Sequence, residues 1–207
     1  MDGATWAVLS KTKNCSFLRQ TMNYNWTVPY IVQDDFLDKQ DLEYVNSIAD
    51  RMIKDLSLDN DLISEKIEES WQSHNIIKPN QEPHITAPGI ELLYEKYKHK
   101  FEEFLAQLNP TDSTDTYHSI NIIVTEPNNE YSAHVDSNSK MLSCVVYASE
   151  KNIGTRLYST QDKQDPYEVE WKQNRIFVFS RNENSWHDWA SSDQYRVALV
   201  WNIILDV

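Results

Sequence analysis

The sequence predicts an α+β fold: a β jelly-roll core with N-terminal helices packed on its outside. Three observations lead to it. Apolar residues recur at helical spacing in two stretches of the first half. After Asn109-Pro110 the pattern changes to short β-rich runs separated by polar turns, the signature of a sandwich or barrel. No internal repeat or low-complexity tract points to a solenoid instead. The 207 residues favour a single domain over 1–207, with 1–110 a supporting region of strand and helix and 111–207 the core. A chain of this length buries a full hydrophobic core without disulfides or a structural metal.

The elements follow in order. An extended strand is expected around residues 26–32, ahead of Phe36 and Leu37. Leu42, Val45, Ala49, Met52, Ile53 and Leu56 then mark the first helix, with Asp38 as its cap. Residues 57–88 hold Pro79, Pro83 and Pro88 and show little periodicity beyond a short helix expected near 62–69. The second helix runs from about 89 to 108, with Leu93, Tyr97, Phe101, Phe104, Leu105 and Leu108 along one face. Its basic residues Lys96, Lys98, His99 and Lys100 read as a solvated face, because acids interrupt them. Strands are expected at 119–124, 141–147, 175–179 and 196–204.

Composition removes several function classes. The chain is 40% hydrophobic and 25% charged, which is the balance of a globular protein. No apolar run approaches the ~18 residues of a membrane span. The first residues lack a basic start followed by an apolar stretch, so no secretory signal is expected. Two cysteines, Cys15 and Cys144, are too few for a disulfide scaffold, and a cytoplasmic location is expected. A net charge of −13 disfavours steering toward nucleic-acid phosphates. With only three glycines, neither a P-loop nor a dinucleotide fingerprint can be assembled.

The chemistry concentrates in Glu130-Tyr131-Ser132-Ala133-His134-Val135-Asp136. His134 and Asp136 are two apart, so a strand would present both on one face. An imidazole and a carboxylate on one interior face make two-thirds of a facial triad for non-haem Fe(II). Of the six histidines only His187 lies beyond this strand, in Ser185-Trp186-His187-Asp188-Trp189. The same pattern also suits a hydrogen-bonded core histidine beside an aspartate that caps a turn. Arg196, nine residues after His187, opens the last strand and shares a face with Ala198, Val200 and Asn202. A guanidinium turned into the triad's cavity would grip a carboxylate bidentately. The alternative for Arg196 is a surface arginine at a strand start.

Taken together these residues resemble the Fe(II)/2-oxoglutarate-dependent dioxygenases, within them the prolyl 4-hydroxylase-like branch. The resemblance covers roughly residues 115–205. Glu126-Pro127-Asn128-Asn129-Glu130-Tyr131-Ser132-Ala133-His134-Val135-Asp136 is similar to the branch's segment through its first two ligands. Cys144-Val145-Val146-Tyr147 resembles the following strand, and Gly154-Thr155-Arg156-Leu157-Tyr158 a Gly-Gly-x-Leu strand lacking one glycine. Asn174-Arg175-Ile176-Phe177-Val178-Phe179-Ser180 is similar to the strand leading into the second histidine. Arg196-Val197-Ala198 departs from the wider family's Arg-x-Ser.

The resemblance implies a double-stranded β-helix of the jelly-roll, cupin-like kind, with Fe(II) on His134, Asp136 and His187. It implies 2-oxoglutarate as co-substrate, its far carboxylate held by Arg196 with Tyr147, and Tyr131 beside it. It further implies dioxygen, ascorbate as a supporting reductant, and a peptidyl proline or other amino-acid-like substrate. Related halogenases carry a small residue in place of the carboxylate, so Asp136 implies hydroxylation. Trp186 and Trp189 are candidate walls of the entrance, and residues 72–88 and 159–166 candidate lids. Two alternatives stay open: a jelly-roll metal-binding or structural module without turnover, and a nucleic-acid-modifying member of the superfamily. A small-molecule substrate remains compatible, and no membrane partner is expected.

Overall fold

The computed structural model describes residues 28–56, 65–67, 70–79, 81–109 and 115–206. Two helices and two antiparallel sheets make up the described chain. The first strand, β1 (Tyr30–Gln33), leads into helix α1 (Lys39–Leu56). Asp38 precedes that helix as expected, its carbonyl accepting from the Leu42 N–H and its carboxylate paired with Lys96. Next come β2 (Glu65–Ile67), β3 (Ser70–Gln72), β4 (Ile76–Ile77) and helix α2 (Ile90–Leu108). The second half is all strand: β5 (Thr116–Thr125), β6 (Glu130–His134), β7 (Lys140–Tyr147) and β8 (Thr155–Tyr158). It ends with β9 (Tyr167–Val169), β10 (Ile176–Phe179), β11 (Trp186–Ala190) and β12 (Arg196–Leu205).

One expectation needs correction. Within the stretch expected as a short helix near 62–69, residues 65–67 form β2 and pair with β3, while 62–64 and 68–69 lie outside the described residues. The reason is tertiary: β3 adds to β5 with Gln72 opposite Ile123, and pairing at a sheet edge outweighs a weak local helical preference. Residues 26–27 of the opening strand and Cys15 also lie outside the described residues.

The larger sheet runs β1-β10-β7-β12-β5-β3-β2, with β4 also paired to β5, and the smaller runs β6-β11-β8-β9. Period-two alternation sorts the side chains of the larger sheet. Ile120, Ile122 and Val124, Leu142, Cys144 and Val146, and Val197, Leu199, Trp201 and Ile203 face the helices. There they meet Val45, Ile48 and Met52 of α1 and Ile90, Phe101 and Phe104 of α2. Trp201 is the centre of this layer, stacked on Phe101 at 3.9 Å and donating its indole N–H to His118 Nδ1 at 2.9 Å. Tyr147, Phe177 and Phe179 turn the other way and pack with Leu157 and Val169 of the smaller sheet. The residues between the sheets therefore come from the opposite parity of the same strands, and Arg196 and Asn202 belong to that parity. The lysines of α2 are neutralised on its outer face, Lys96 by Asp38 and Asp41, Lys98 by Glu95 and Lys100 by Glu103.

Of residues 72–88, Gln72 in β3 and Ile76–Ile77 in β4 belong to the larger sheet. The Asn75 carboxamide accepts from the Thr86 and Ala87 N–H groups and donates to Ser73 Oγ and the Ile120 carbonyl. In the 159–166 turn, Lys163 reaches both Asp188 and Glu130.

Candidate metal centre

Strand pairing brings the two histidines together. His134 on β6 lies directly opposite His187 on β11, and their rings sit 4.3 Å apart, centre to centre. Asp136 follows β6 by two residues and reaches across to the larger sheet, where the Ser143 hydroxyl donates to Oδ2 at 2.5 Å. One ligand atom from each of His134, Asp136 and His187 lies within 4.8 Å of the others, close enough to share one metal ion. Among the described residues this is the one cluster of three such groups.

Each partner is set for that task. The His134 Nδ1 lies 2.9 Å from the Ser132 carbonyl and the His187 Nδ1 lies 2.8 Å from the Ser185 carbonyl. A carbonyl only accepts, so Nδ1 carries the proton and each Nε2 keeps its lone pair. Burial pushes the His187 pKa down to about 4, which keeps the ring neutral and available. Burial pushes the Asp136 carboxyl upward, but Lys140, His187 and Ser143 outweigh it and lower its pKa to about 2. The Lys140 ammonium holds Oδ1 at 2.6 Å, so the carboxylate is charged and oriented.

A bulge explains Tyr131. Tyr131 and His134 are three residues apart, which on a regular strand puts them on opposite faces. The pairing shifts register between His187 and Trp189, so Tyr131 falls opposite Trp189 and both rings join the histidines at the cavity. Tyr131 stacks on Trp189 at 5.4 Å and meets the His134 ring edge-on at 4.8 Å. Asp188, between the two inward residues, points the other way and binds Arg156, Lys163 and the Tyr158 hydroxyl. Trp186 is not part of the cavity wall.

The cavity has a volume of about 230 Å³. At its far end stands Arg196, 2% exposed, its guanidinium between the rings of Trp189 at 4.9 Å and Trp171 at 5.2 Å. The Nε is buried without a hydrogen-bond partner, and among the described residues no carboxylate pairs with the group. Burial lowers its pKa to about 10. An unpaired buried cation facing a cavity is a demand for an anion. Tyr147 stands one layer behind: its hydroxyl donates to Thr155 Oγ1 at 3.0 Å and accepts from the Thr155 N–H, while Thr155 lines the cavity.

Comparison with solved structures places this architecture. A prolyl-4-hydroxylase from Pseudomonas putida matches with a TM-score of 0.59 at 16% identity, over 87% of this chain and 95% of that one. A prolyl hydroxylase from Trichoplax adhaerens, solved with a hypoxia-inducible-factor oxygen-degradation-domain peptide, matches with 0.65 at 11%, over 87% and 85%. The fold is that of the prolyl-hydroxylase-like 2-oxoglutarate oxygenases. A viral collagen prolyl hydroxylase from Paramecium bursaria Chlorella virus-1, solved with 2-oxoglutarate, shares it at a TM-score of 0.56 and 14% identity, over 86% and 96%. No protein-family model matches the sequence, and a search of curated proteins finds no match.

The donor set fits the metal such oxygenases use, since two imidazoles and one carboxylate leave open positions on an Fe(II) ion. The orphaned Arg196 guanidinium in the same cavity fits a dicarboxylate. Gln72, Lys140, Ser143, Thr155 and Asn202, to which the sequence pattern gave no role at the metal, also line the wall. Asn202 carried a usable signal in its shared parity with Arg196, whereas Lys140 and Thr155 depend on folding that no local pattern reveals.

Proposed function

We propose that this protein is an Fe(II)- and 2-oxoglutarate-dependent oxygenase that hydroxylates a peptidyl proline or another amino-acid-like substrate. The observation that carries the reading is one cavity lined by a His-Asp-His cluster and by a buried guanidinium that pairs with no carboxylate among the described residues. The strand order supports it: β5 to β12 alternate as β10-β7-β12-β5 and β6-β11-β8-β9, an order consistent with a jelly roll. The peptide bound by the Trichoplax prolyl hydroxylase supports a peptidyl substrate.

His134 and His187 would hold the metal through Nε2 and Asp136 through one carboxylate oxygen. The bound metal and co-substrate supply the oxidising chemistry, in which 2-oxoglutarate, dioxygen and a C–H bond become succinate, carbon dioxide and an alcohol. The rest falls to the chain. The Ser132 and Ser185 carbonyls fix the imidazole tautomers. Lys140 and Ser143 hold Asp136 ionised. Arg196 takes the far carboxylate, with Trp171 and Trp189 excluding water from the ion pair so that it is stronger than at a surface. Tyr147 aims the Thr155 hydroxyl at that end.

Succinate formation from 2-oxoglutarate tests the proposal. Fe(II)-loaded protein in air should form succinate, and neither anaerobic protein nor Asp136→Ala should. Folded, iron-loaded protein that forms none with any peptide or amino acid offered would assign the fold to a binding module.

A further inference from the structure

The outer face of the smaller sheet, turned away from the cavity, carries a charge network that the metal and co-substrate do not touch. Asp188 is fully buried there. Its Oδ1 accepts from Arg156 Nε at 2.6 Å, and its Oδ2 from the Tyr158 hydroxyl at 2.9 Å and Lys163 at 2.8 Å. Both cations also reach one oxygen of Glu130, Arg156 at 3.0 Å and Lys163 at 2.9 Å. Arg156 comes from β8, directly opposite Asp188. Lys163 comes from the 159–166 turn at a φ of 57°, a left-handed conformation that residues other than glycine seldom adopt.

The network sits behind the fault between the two strands that carry the histidines. His187 pairs with His134 and Trp189 with Tyr131, so β11 has one residue, Asp188, where β6 has two, Ser132 and Ala133. A bulge of this kind leaves its extra residue unpaired and disrupts the ladder locally. Yet Ser132 supplies the carbonyl that fixes His134 Nδ1, at 2.9 Å. Arg156 and Lys163 each tie Asp188, opposite the bulge, to Glu130, which lies beyond it on β6. Two staples therefore span the weak point of the ladder. Stability alone does not call for them, since buried ion pairs are often no better than apolar packing of the same volume.

Building on the metal-centre reading, we propose that Asp188 is a positioning residue. Through Arg156 and Lys163 it fixes the β6 bulge, and with it the angle at which His134 and His187 offer their Nε2 atoms to one metal ion. Asp188 touches neither metal nor substrate, and its effect passes through the backbone of β6 and the Ser132 carbonyl. Removing a group that orients a metal-binding histidine costs about 10–100-fold in metal affinity, and an effect passed through the backbone belongs at the low end.

Titration with Co(II), followed by visible absorption, tests the proposal, because ligand-field bands report the arrangement of the donors and not the stability of the fold. Asp188→Asn keeps the shape of the side chain and removes its charge. Asp188→Leu combined with Arg156→Met, Lys163→Met and Tyr158→Phe removes the whole network, leaving only the exposed Glu130. This apolar combination should unfold no lower than wild type, yet bind Co(II) about 10-fold more weakly and with displaced bands. Asp188→Asn should displace the bands in the same way. Wild-type affinity and bands in the apolar combination would overturn the proposal, leaving the network a purely structural one. Weaker binding with unmoved bands would also overturn it, by assigning the loss to a general loosening of the sheet. Failure of the metal-centre reading would look different: wild type itself would take up no Co(II), and the proposal would fall with it.

Discussion

Replacing Arg196 by methionine should make the ligand-free protein more stable and blind to 2-oxoglutarate. Burial lowers the arginine pKa from 12.5 to about 10, so keeping the group charged in the fold costs about 3 kcal/mol at ~1.36 kcal/mol per unit. The indoles of Trp171 and Trp189 return about 1–2 kcal/mol through their ring faces. Methionine fills similar volume, carries no charge and meets the same two rings, so Arg196→Met should gain about 1–2 kcal/mol. For a chain of 150–250 residues that is ~2–8 °C in Tm. With Mn(II) and 2-oxoglutarate at 100 times its Kd, wild type should gain ~2.7 kcal/mol and the variant nothing. The order of the two melting curves therefore reverses on adding ligand, which differential scanning calorimetry reads directly. A variant less stable than wild type without ligand, or one that still responds to 2-oxoglutarate, would refute the view that the fold holds an unpaired cation for an anion.

Acid should weaken the metal-free protein well above the carboxylate range. Burial lowers the pKa of both His118 and His187 from 6.5 to about 4, so between those values the folded chain binds fewer protons than the unfolded one. Stability then rises with pH across that window, is full above it, and falls on acidification by about 3 kcal/mol for each histidine. Urea midpoints from pH 7 to 4.5 should show the fall, and His118→Gln should remove about half of it; a flat wild-type profile would contradict the burial argument. At Gly154 a Cβ would sit 1.8 Å from the Val169 carbonyl oxygen, so Gly154→Ala has to push β9 away from β8. A loss of about 1–3 kcal/mol is expected in urea unfolding, and an unchanged midpoint would show that the strands tolerate the separation.

Much of the site was legible because strand alternation is a strict rule. Counting by two along the last strand put Arg196 and Asn202 on one face, and the structure sets them on one cavity wall. The helical faces were legible for the same kind of reason, Leu93, Tyr97, Phe101 and Phe104 being buried on α2. Other features depend on pairing between distant segments, and local pattern carries no trace of them. The bulge opposite Trp189 turns Tyr131 inward against the simple count. Trp171 reaches Arg196 from outside any strand, and β2 exists because β3 found the edge of β5. The stretch holding Pro79, Pro83 and Pro88 looked free in sequence, yet the buried Asn75 carboxamide ties Thr86 and Ala87 to the Ile120 carbonyl of β5.

The central claim is that His134, Asp136 and His187 share one metal ion on which 2-oxoglutarate binding depends. Calorimetric titration of 2-oxoglutarate with and without Mn(II), on wild type and Asp136→Ala, tests it most directly. Wild type should bind 2-oxoglutarate tightly only when Mn(II) is present, and Asp136→Ala should lose binding of both. Tight 2-oxoglutarate binding that needs no metal, or that survives Asp136→Ala undiminished, would contradict the claim.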